Sequence, residues 1–342
     1  MKLFYIVIVF LLSCSFAQAQ RLYSYLNLPL TPKQNALGGF LPAVNNPDRL
    51  SVAENPALLS FVDEKLLSLS IADYFAGITY FNFATGLRNI AGGKLSCTVQ
   101  LLNYGKFAEA DEFGNLSGNN FYAADLCLGT SYARLLTPKL SVGTTAKFLV
   151  SQYERYTALA LVADAGMYYT DTAKFFTAAL VIKNAGFQLL KFASTSETLP
   201  FDIRLGVSKK LKHAPFRLHM AVSHLTNTNL LYESVFDQNN SLLNAEKVEK
   251  SKVAKAFDFT FRHFSGGVEF EASKNFSLFA GYNHKRRKEL AMPGISGLTG
   301  FSFGTGIRIK RFNFSYALSK YHTASAMHQF SISGKIKKRS TI

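Results

Sequence analysis

The feature that most constrains this chain is a period of two that returns along most of its length. Phe201, Ile203, Leu205 and Val207 alternate with Asp202, Arg204, Gly206 and Ser208. Phe216, Leu218, Met220 and Val222 alternate with Arg217, His219, Ala221 and Ser223. Phe312, Phe314, Tyr316 and Leu318 do the same against Arg311, Asn313, Ser315 and Ser319, and Phe330, Ile332 and Ile336 against Gln329, Ser331, Ser333 and Lys335. Neighbouring side chains of a strand point to opposite faces, so each run has one apolar and one polar face. Strands of soluble sheets average about 5–6 residues, whereas a tilted strand crossing a bilayer needs ~9–11. Many of these runs are ten residues or longer, which favours a membrane barrel over a soluble sandwich.

The alternation predicts strands at 66–72, 77–86, 93–103, 121–134, 139–150, 155–169, 175–185, 201–210, 215–224, 259–273, 276–284, 297–309, 311–320 and 327–336. That is fourteen, an even number. Connections after even-numbered strands are short: 87–92, 135–138, 170–174, 211–214, 274–275 and residue 310. After odd-numbered strands come the long ones, 104–120, 187–200, 225–258 and 285–296, beside three short ones at 73–76, 151–154 and 321–326. Outer-membrane barrels have short periplasmic turns and longer outer loops, and a closed ladder satisfies every backbone polar group. A sandwich gives no reason for this parity. The expected fold is an all-β, 14-stranded antiparallel transmembrane β-barrel over 66–336.

Residues 1–19 read as a signal peptide: Lys2 as a one-charge start, an apolar run from Leu3 to Leu12, and the cleavage pattern Ala17-Gln18-Ala19. Its removal costs only one positive charge, taking +16 to +15. Leu11-Leu12-Ser13-Cys14 is a weaker match to a lipoprotein signal. Cys14 leaves with the peptide, so Cys97 and Cys127 remain, too few for a disulfide scaffold. Cys97 falls on the apolar face of its run and Cys127 on the polar face with Asp125 and Gly129; both are expected as free, buried thiols with no metal site. No later stretch approaches the ~20 continuous apolar residues of a spanning helix. With 48 % hydrophobic and 18 % charged residues, disorder is excluded. The mean hydropathy of +0.07 fits apolar residues dispersed along strands.

On the polar face, Gly143, Thr145 and Lys147, and then Gly304, Gly306 and Arg308, point to a lumen. Repeated glycine in strands marks bends or close approach by something inside. Residues 20–65 are the candidate for it, with prolines at 29, 32, 42, 47 and 56, glycines at 38–39 and no sustained alternation. The segment is expected to be a plug in the lumen, the alternative being a periplasmic tail. Gly266-Gly267 breaks the alternation and is expected to be a bulge.

Ala36-Leu37-Gly38-Gly39 followed by Glu54-Asn55-Pro56-Ala57 resembles the N-terminal region of FadL-like outer-membrane barrels, which have fourteen strands and an N-terminal plug. The resemblance marks Ala36, Leu37, Gly38, Gly39, Asn55, Pro56 and Ala57 as plug-motif residues. DYFAGITY (73–80), NYGKFAEADEFGN (103–115), LPFDIRLGVSKKLKHAPFRL (199–218) and GFSFGTGIRI (300–309) are similar to the PorQ family of type IX secretion outer-membrane barrels, over about 22–334. That likeness implies a non-catalytic anchor of a cell-surface attachment complex, with a PorZ-like surface protein and the partners PorU and PorV. The chain departs from many outer-membrane proteins in ending on a basic tail, 337–342, rather than an aromatic residue.

Enzymatic signals are thin. Gly300-Phe301-Ser302-Phe303-Gly304 matches G-x-S-x-G, but that motif needs a sharp strand-to-helix turn and here alternation runs on to Ile309. The histidines at 213, 219, 224, 263, 284, 322 and 328 have no metal-ligand spacing, and His219 and His224, five apart, are expected on opposite faces of one strand. No cofactor is implied. His284 followed by Lys285, Arg286, Arg287 and Lys288 is expected at an outer loop tip, where the basic residues meet lipopolysaccharide phosphates, an acidic partner or solvent. KVEKSKVAK (247–255) reads as a short exposed helix. Glu109, Asp111 and Glu112 miss the EF-hand pattern for Ca²⁺. Nucleic acid is not an expected partner of an exported chain.

Two functions remain. One is the secretion anchor, which predicts a closed wall and a conspicuous outer surface. The other is a diffusion channel for hydrophobic small molecules, which predicts an apolar pocket between plug and wall and a lateral gap. Fold alone does not choose between them.

Overall fold

A computed structural model describes residues 23–87, 89–111, 113–192, 197–226, 252–290, 297–322 and 325–335. The expected signal peptide, Glu112, most of 247–255 and the basic tail lie outside the described residues.

Fourteen strands close into one antiparallel barrel: β1 Leu66–Asp73, β2 Thr79–Gly86, β3 Lys94–Ala110, β4 Leu116–Thr137, β5 Leu140–Tyr153, β6 Tyr156–Asp171 and β7 Phe176–Leu190, then β8 Asp202–Lys210, β9 Phe216–Val222, β10 Phe264–Phe270, β11 Phe276–Asn283, β12 Phe301–Ile309, β13 Phe312–His322 and β14 Ser325–Lys335. Each strand pairs with its sequence neighbours, and β1 closes on β14 with Leu66 opposite Lys335 and Asp73 opposite His328. No helix among the described residues is long and apolar enough to cross a membrane. The barrel is inside-out relative to a soluble protein. Ser70, Asn82, Thr98, Thr145, Lys147, Asp164, Arg204 and Gln329 are buried in the lumen, while Leu128, Phe148, Leu161, Leu205, Phe303, Phe314 and Phe330 stand exposed on the outer wall. An exposed apolar girdle of this kind is stable only in lipid.

The strand ends differ from expectation where the chain leaves the girdle. Residues 104–120, expected as a loop, are mostly ladder: β3 and β4 run on as a projecting hairpin whose tip is 111–115. Both faces of the hairpin meet water there, so alternation disappears while pairing continues. Strand 10 starts at Phe264 rather than 259, because Lys252–Arg262 is a helix. Strand β9 ends at Val222, so among the described residues 259–262 has no ladder partner and a helix satisfies its own backbone, while His263 at the junction still accepts from the Ser223 N–H at 3.0 Å. The bulge expected at Gly266-Gly267 is absent. Both residues hold regular register with β9 and β11, and irregularities fall instead at sites such as Asn103/Gly105 and Ala163/Ala165.

Residues 23–65 lie inside the barrel. They form 3-10 turns at Ser24–Asn27, Leu50–Ala53 and Pro56–Phe61 and one short helix, α1, Pro32–Ala36. Local sequence sets these starts. Thr31 caps α1 by accepting from the Gln34 N–H at 3.1 Å, with Pro32 at the first helical position. Asn55 caps the last turn by accepting from the Ala57 N–H at 3.0 Å, with Pro56 next. Two further helices, α2 Lys252–Arg262 and α3 His284–Leu290, sit in the connections before β10 and after β11. Both lie at the distal end, the end opposite the start of β1.

Candidate functional site

The inner segment fits because the wall is cut away for it. A Cβ on Gly143 would lie 2.6 Å from the Pro56 carbonyl carbon, one on Gly206 2.6 Å from Pro42 Cγ, and one on Gly304 2.7 Å from the Ala36 Cβ. Irregular backbone at membrane depth must find protein partners, and wall side chains supply them. Tyr168 Oη donates to the Val44 carbonyl at 3.1 Å, Thr177 Oγ1 to Ala43 at 2.8 Å, Asn283 Nδ2 to Gly38 at 2.9 Å and Gln329 Nε2 to Pro29 at 3.1 Å.

Mid-barrel, a buried charge network locks the segment to the wall. Arg204 Nη1 donates to both Glu54 oxygens at 2.9 and 3.1 Å, while its Nε donates to Asp202 at 2.8 Å and its Nη2 to Asn27 Oδ1 at 2.6 Å. Lys183 Nζ lies 3.9 Å from Glu54 and 3.3 Å from Asp164, which also pairs with Lys147 at 2.6 Å. Lys183 also donates to the Ala53 carbonyl, and Arg204 stacks over Phe40 at 4.4 Å. Wall residues Lys147, Lys183 and Arg204 face only Asp164 and Asp202 on the wall; Glu54 of the inner segment supplies the third negative charge. Nearer the proximal end, Lys33 pairs with Glu269 at 2.8 Å, and His219 reaches Glu269 at 3.1 Å.

The distal half holds an apolar chamber. Tyr23, Tyr25 and Leu26 pack against Tyr80, Leu102, Cys127, Leu149, Tyr321 and Met327. Polar ties are few: Tyr25 Oη donates to the Leu126 carbonyl at 3.5 Å, and Gln188 Nε2 donates to Tyr23 Oη at 3.2 Å. Beside it, Tyr104 and Tyr153 donate to buried Asp125 at 2.7 and 2.8 Å. The proximal half contains a cavity of about 400 Å³ between the segment and β10–β14, lined by Lys33, Asp48, Glu269, Glu271, Lys274 and Arg308 among others. Its lining mixes charged and apolar side chains, unlike that of the distal chamber.

The two halves of the recognised motif sit on different walls. Ala36–Gly39 pack against β10–β13, where Gly38 and Gly39 have φ of 102° and 99°. A Cβ on Gly38 would come 3.1 Å from the Tyr282 carbonyl oxygen and one on Gly39 2.9 Å from Arg286 Nη2. Asn55, Pro56 and Ala57 seat on β5 and β6, with Asn55 Nδ2 donating to Pro42 O at 3.0 Å and Ser141 Oγ to Ala57 O at 2.9 Å. The structure divides the basic run. Arg286 is buried, stacks 3.9 Å over Tyr321 and donates to its hydroxyl. Arg287 donates to the Gly297 and Thr299 carbonyls, Lys288 reaches Asp258 at 3.8 Å, and Lys285 is half-buried.

Ser302 is a buried lumenal residue, the second of β12, and the strand runs on from it to Ile309 with no strand-to-helix turn. His224 departs from expectation. It lies past the end of β9 with φ of 60°, which turns it inward to face Asp202 at 3.5 Å, so it and His219 are both inside. Cys127 is buried in the lumen, and Cys97 is half-buried on the outer wall rather than fully buried; both are free. Arg308 is exposed at the proximal rim. Among the described residues, no group of His, Cys, Asp and Glu is arranged to hold a metal ion. Sequence reasoning missed the Glu54–Arg204–Lys183–Asp164 network. The available signal was a charged residue on the lumenal face of each of β5 to β8, plus Glu54, which with Asp48 is one of only two acidic residues in 23–62.

No protein-family model and no curated protein matches the chain. Solved structures do. The toluene transporter TbuX of Ralstonia pickettii superposes with a TM-score of 0.53 at 11 % identity, over 91 % of this chain and 99 % of that one. The Pseudomonas putida toluene transporter TodX gives 0.52 at 10 %, over 90 % and 97 %. The monoaromatic hydrocarbon channel CymD gives 0.55 at 14 %, over 91 % and 99 %. At such identities the likeness establishes the fold: a FadL-like 14-stranded barrel. These neighbours are transporters and channels, not enzymes.

Proposed function

We propose that this chain is an outer-membrane diffusion channel for small hydrophobic molecules, with residues 23–65 as its stopper. The observation that carries the reading is the distal chamber, an apolar pocket filled by Tyr23, Tyr25 and Leu26, which are held by few polar ties. Withdrawing that turn leaves an aromatic and aliphatic site facing the distal mouth, suited to a ligand without strong hydrogen-bonding groups. The named activities of TbuX, TodX and CymD support this class of cargo. The girdle and the inside-out lumen support the outer membrane as its location. The test is uptake of a radiolabelled monoaromatic hydrocarbon by cells carrying the protein against cells lacking it. Faster uptake is expected, and a further rise when Tyr25 is replaced by Ala; equal uptake in all three would overturn the reading.

A second reading, the anchor of a type IX attachment complex, is supported by the sequence resemblance and by the closed strand order, in which every strand pairs with both of its neighbours. It predicts that the tagged protein, drawn from its outer membrane in gentle detergent, carries PorZ-like, PorU-like and PorV-like partners. A barrel recovered alone, with bound hydrophobic ligand, defeats the anchor and favours the channel. Under either reading we propose Lys285 and Lys288 as the members of the basic run that meet lipopolysaccharide phosphates or a partner.

A further inference from the structure

Helix α2 carries two faces of opposite character. Asp258 and Arg262, four residues apart, point toward the barrel. Arg262 donates to Asp258 at 2.8 Å, and Asp258 binds His284 Nε2 of α3 at 2.9 Å. On the neighbouring face Phe257 and Phe261 stack with ring centroids 5.8 Å apart and are 62 % and 49 % exposed. These values match or exceed those of Phe301 at 37 % and Phe303 at 46 %, which belong to the outer girdle. Two large aromatics left in water at one spot are costly, because exposing apolar surface to water is disfavoured in proportion to its area.

The aromatic face does not stop at the helix. Phe261 is 6.2 Å from Phe264, the first residue of β10, and 6.0 Å from His284. Tyr282 follows at 6.1 Å from His284, and Phe301 at 4.9 Å from Tyr282. Phe264, Tyr282 and Phe301 alternate with the lumenal residues Ser265, Asn283 and Ser302, so all three face the outside of the wall. The exposed face of α2 is thus continuous with the lipid-facing girdle.

From this continuity we propose that α2 is a membrane-surface helix: it lies along the barrel's distal rim with Phe257 and Phe261 inserted in the lipid leaflet and Asp258 and Arg262 turned back to the protein. Amphipathic helices of this kind bury an apolar face at the boundary between headgroups and acyl chains. The proposal needs no particular cargo or partner, so it stands or falls apart from the channel reading.

The chain contains no tryptophan, so a single introduced one reports its own surroundings. F257W and F261W would be placed in the full-length protein in phosphatidylcholine vesicles, with and without bromine on the acyl chains. F301W serves as the girdle reference and F113W, at the 83 % exposed hairpin tip, as the water reference. Retained heat-modifiable migration on gels shows that each variant is folded. Bromolipid should remove at least half as much emission from F257W and F261W as from F301W, while aqueous iodide quenches them far less than F113W. Iodide quenching like that of F113W with no bromolipid effect overturns the proposal. Shielding from both quenchers overturns it too, since a protein surface then covers the helix.

Discussion

Replacing Glu54 by Gln tests whether charge seats the inner segment. The carboxylate is buried, accepts from Arg204 at 2.9 and 3.1 Å and lies 3.9 Å from Lys183. With Gln in place, Lys147, Lys183 and Arg204 face only Asp164 and Asp202, and one buried positive charge is uncompensated. Breaking a buried pair from one side costs about 3–5 kcal/mol. The amide oxygen still accepts from Arg204, so the lower end, about 3 kcal/mol, applies. Glu54 takes no part in the strand ladder, so the cost falls on seating, and about 3 kcal/mol raises the unseated fraction about 100-fold. Cys127, buried in the distal chamber against the inner segment, reports that fraction. In a C97S background, a charged maleimide reaches it only when the segment lifts, so labelling rate follows the open population. E54Q should label about 100-fold faster than its parent. E54Q/R204M removes one charge of each sign, leaves Asp202 with His224 at 3.5 Å, and should fall back toward the parent rate. Equal rates in E54Q and its parent, or no recovery in the double variant, would refute the reasoning.

Gly143→Ala puts a methyl group 2.6 and 2.8 Å from backbone atoms of Pro56 and Ala57, which cannot swing aside. At about 1–3 kcal/mol of overpacking it should speed Cys127 labelling about tenfold, with strand content by circular dichroism unchanged. Tyr25→Phe should leave hydrocarbon uptake unchanged, because the lost hydroxyl makes only a 3.5 Å contact, whereas Tyr25→Ala empties part of the chamber and should raise it. At Asp258, burial alone pushes the carboxyl up, but hydrogen bonds from Arg262 and His284 and the charge of Lys288 outweigh it and hold the group below the usual carboxylate range. An acid lowered on folding stabilises above its unfolded pKa, about 3.9, and that stabilisation is lost as pH falls through the folded value. The α2–α3 contact should therefore hold at neutral pH and loosen below about pH 4, seen as faster amide exchange in α2, and Asp258→Asn should abolish the dependence.

The barrel was legible because lipid on one side and a polar lumen on the other impose a strict period of two on every residue between them. Legibility failed where that contrast ends. Residues 104–110 and 116–120 stand in water on both faces, so they lost their pattern but kept their ladder. The opposite error arose at Phe259 and Phe261, whose spacing imitates a strand, although among the described residues no neighbour extends far enough to pair with them. Inside the lumen, glycine was readable as close approach at Gly143 and Gly304, which do meet the inner segment, but not at Gly306, which faces Phe279 and Ser315 of the wall. Which side chains lock that segment was not readable. Glu54 and Arg204 are 150 residues apart, and nothing local to either sequence names its partner.

The two ends of the inner segment are held unlike each other, and this bears on how a channel could open. From Glu54 to Ala57 the segment is fixed by buried ion pairs and by wall glycines that admit its backbone. Around Tyr23–Leu26 it is fixed by apolar packing and two hydroxyl contacts, which a hydrophobic ligand can replace in kind. Arg204 joins these regions, since one guanidinium holds both Glu54 and Asn27. Loss of Glu54 therefore loosens the distal turn through a shared side chain, and Tyr25→Ala acts on the same turn from the other side. Sites that share a partner are not additive. In Cys127 labelling, E54Q/Y25A should fall short of the product of the two single effects. A rate equal to that product would mean that the lock and the turn move independently, and that Arg204 does not couple them.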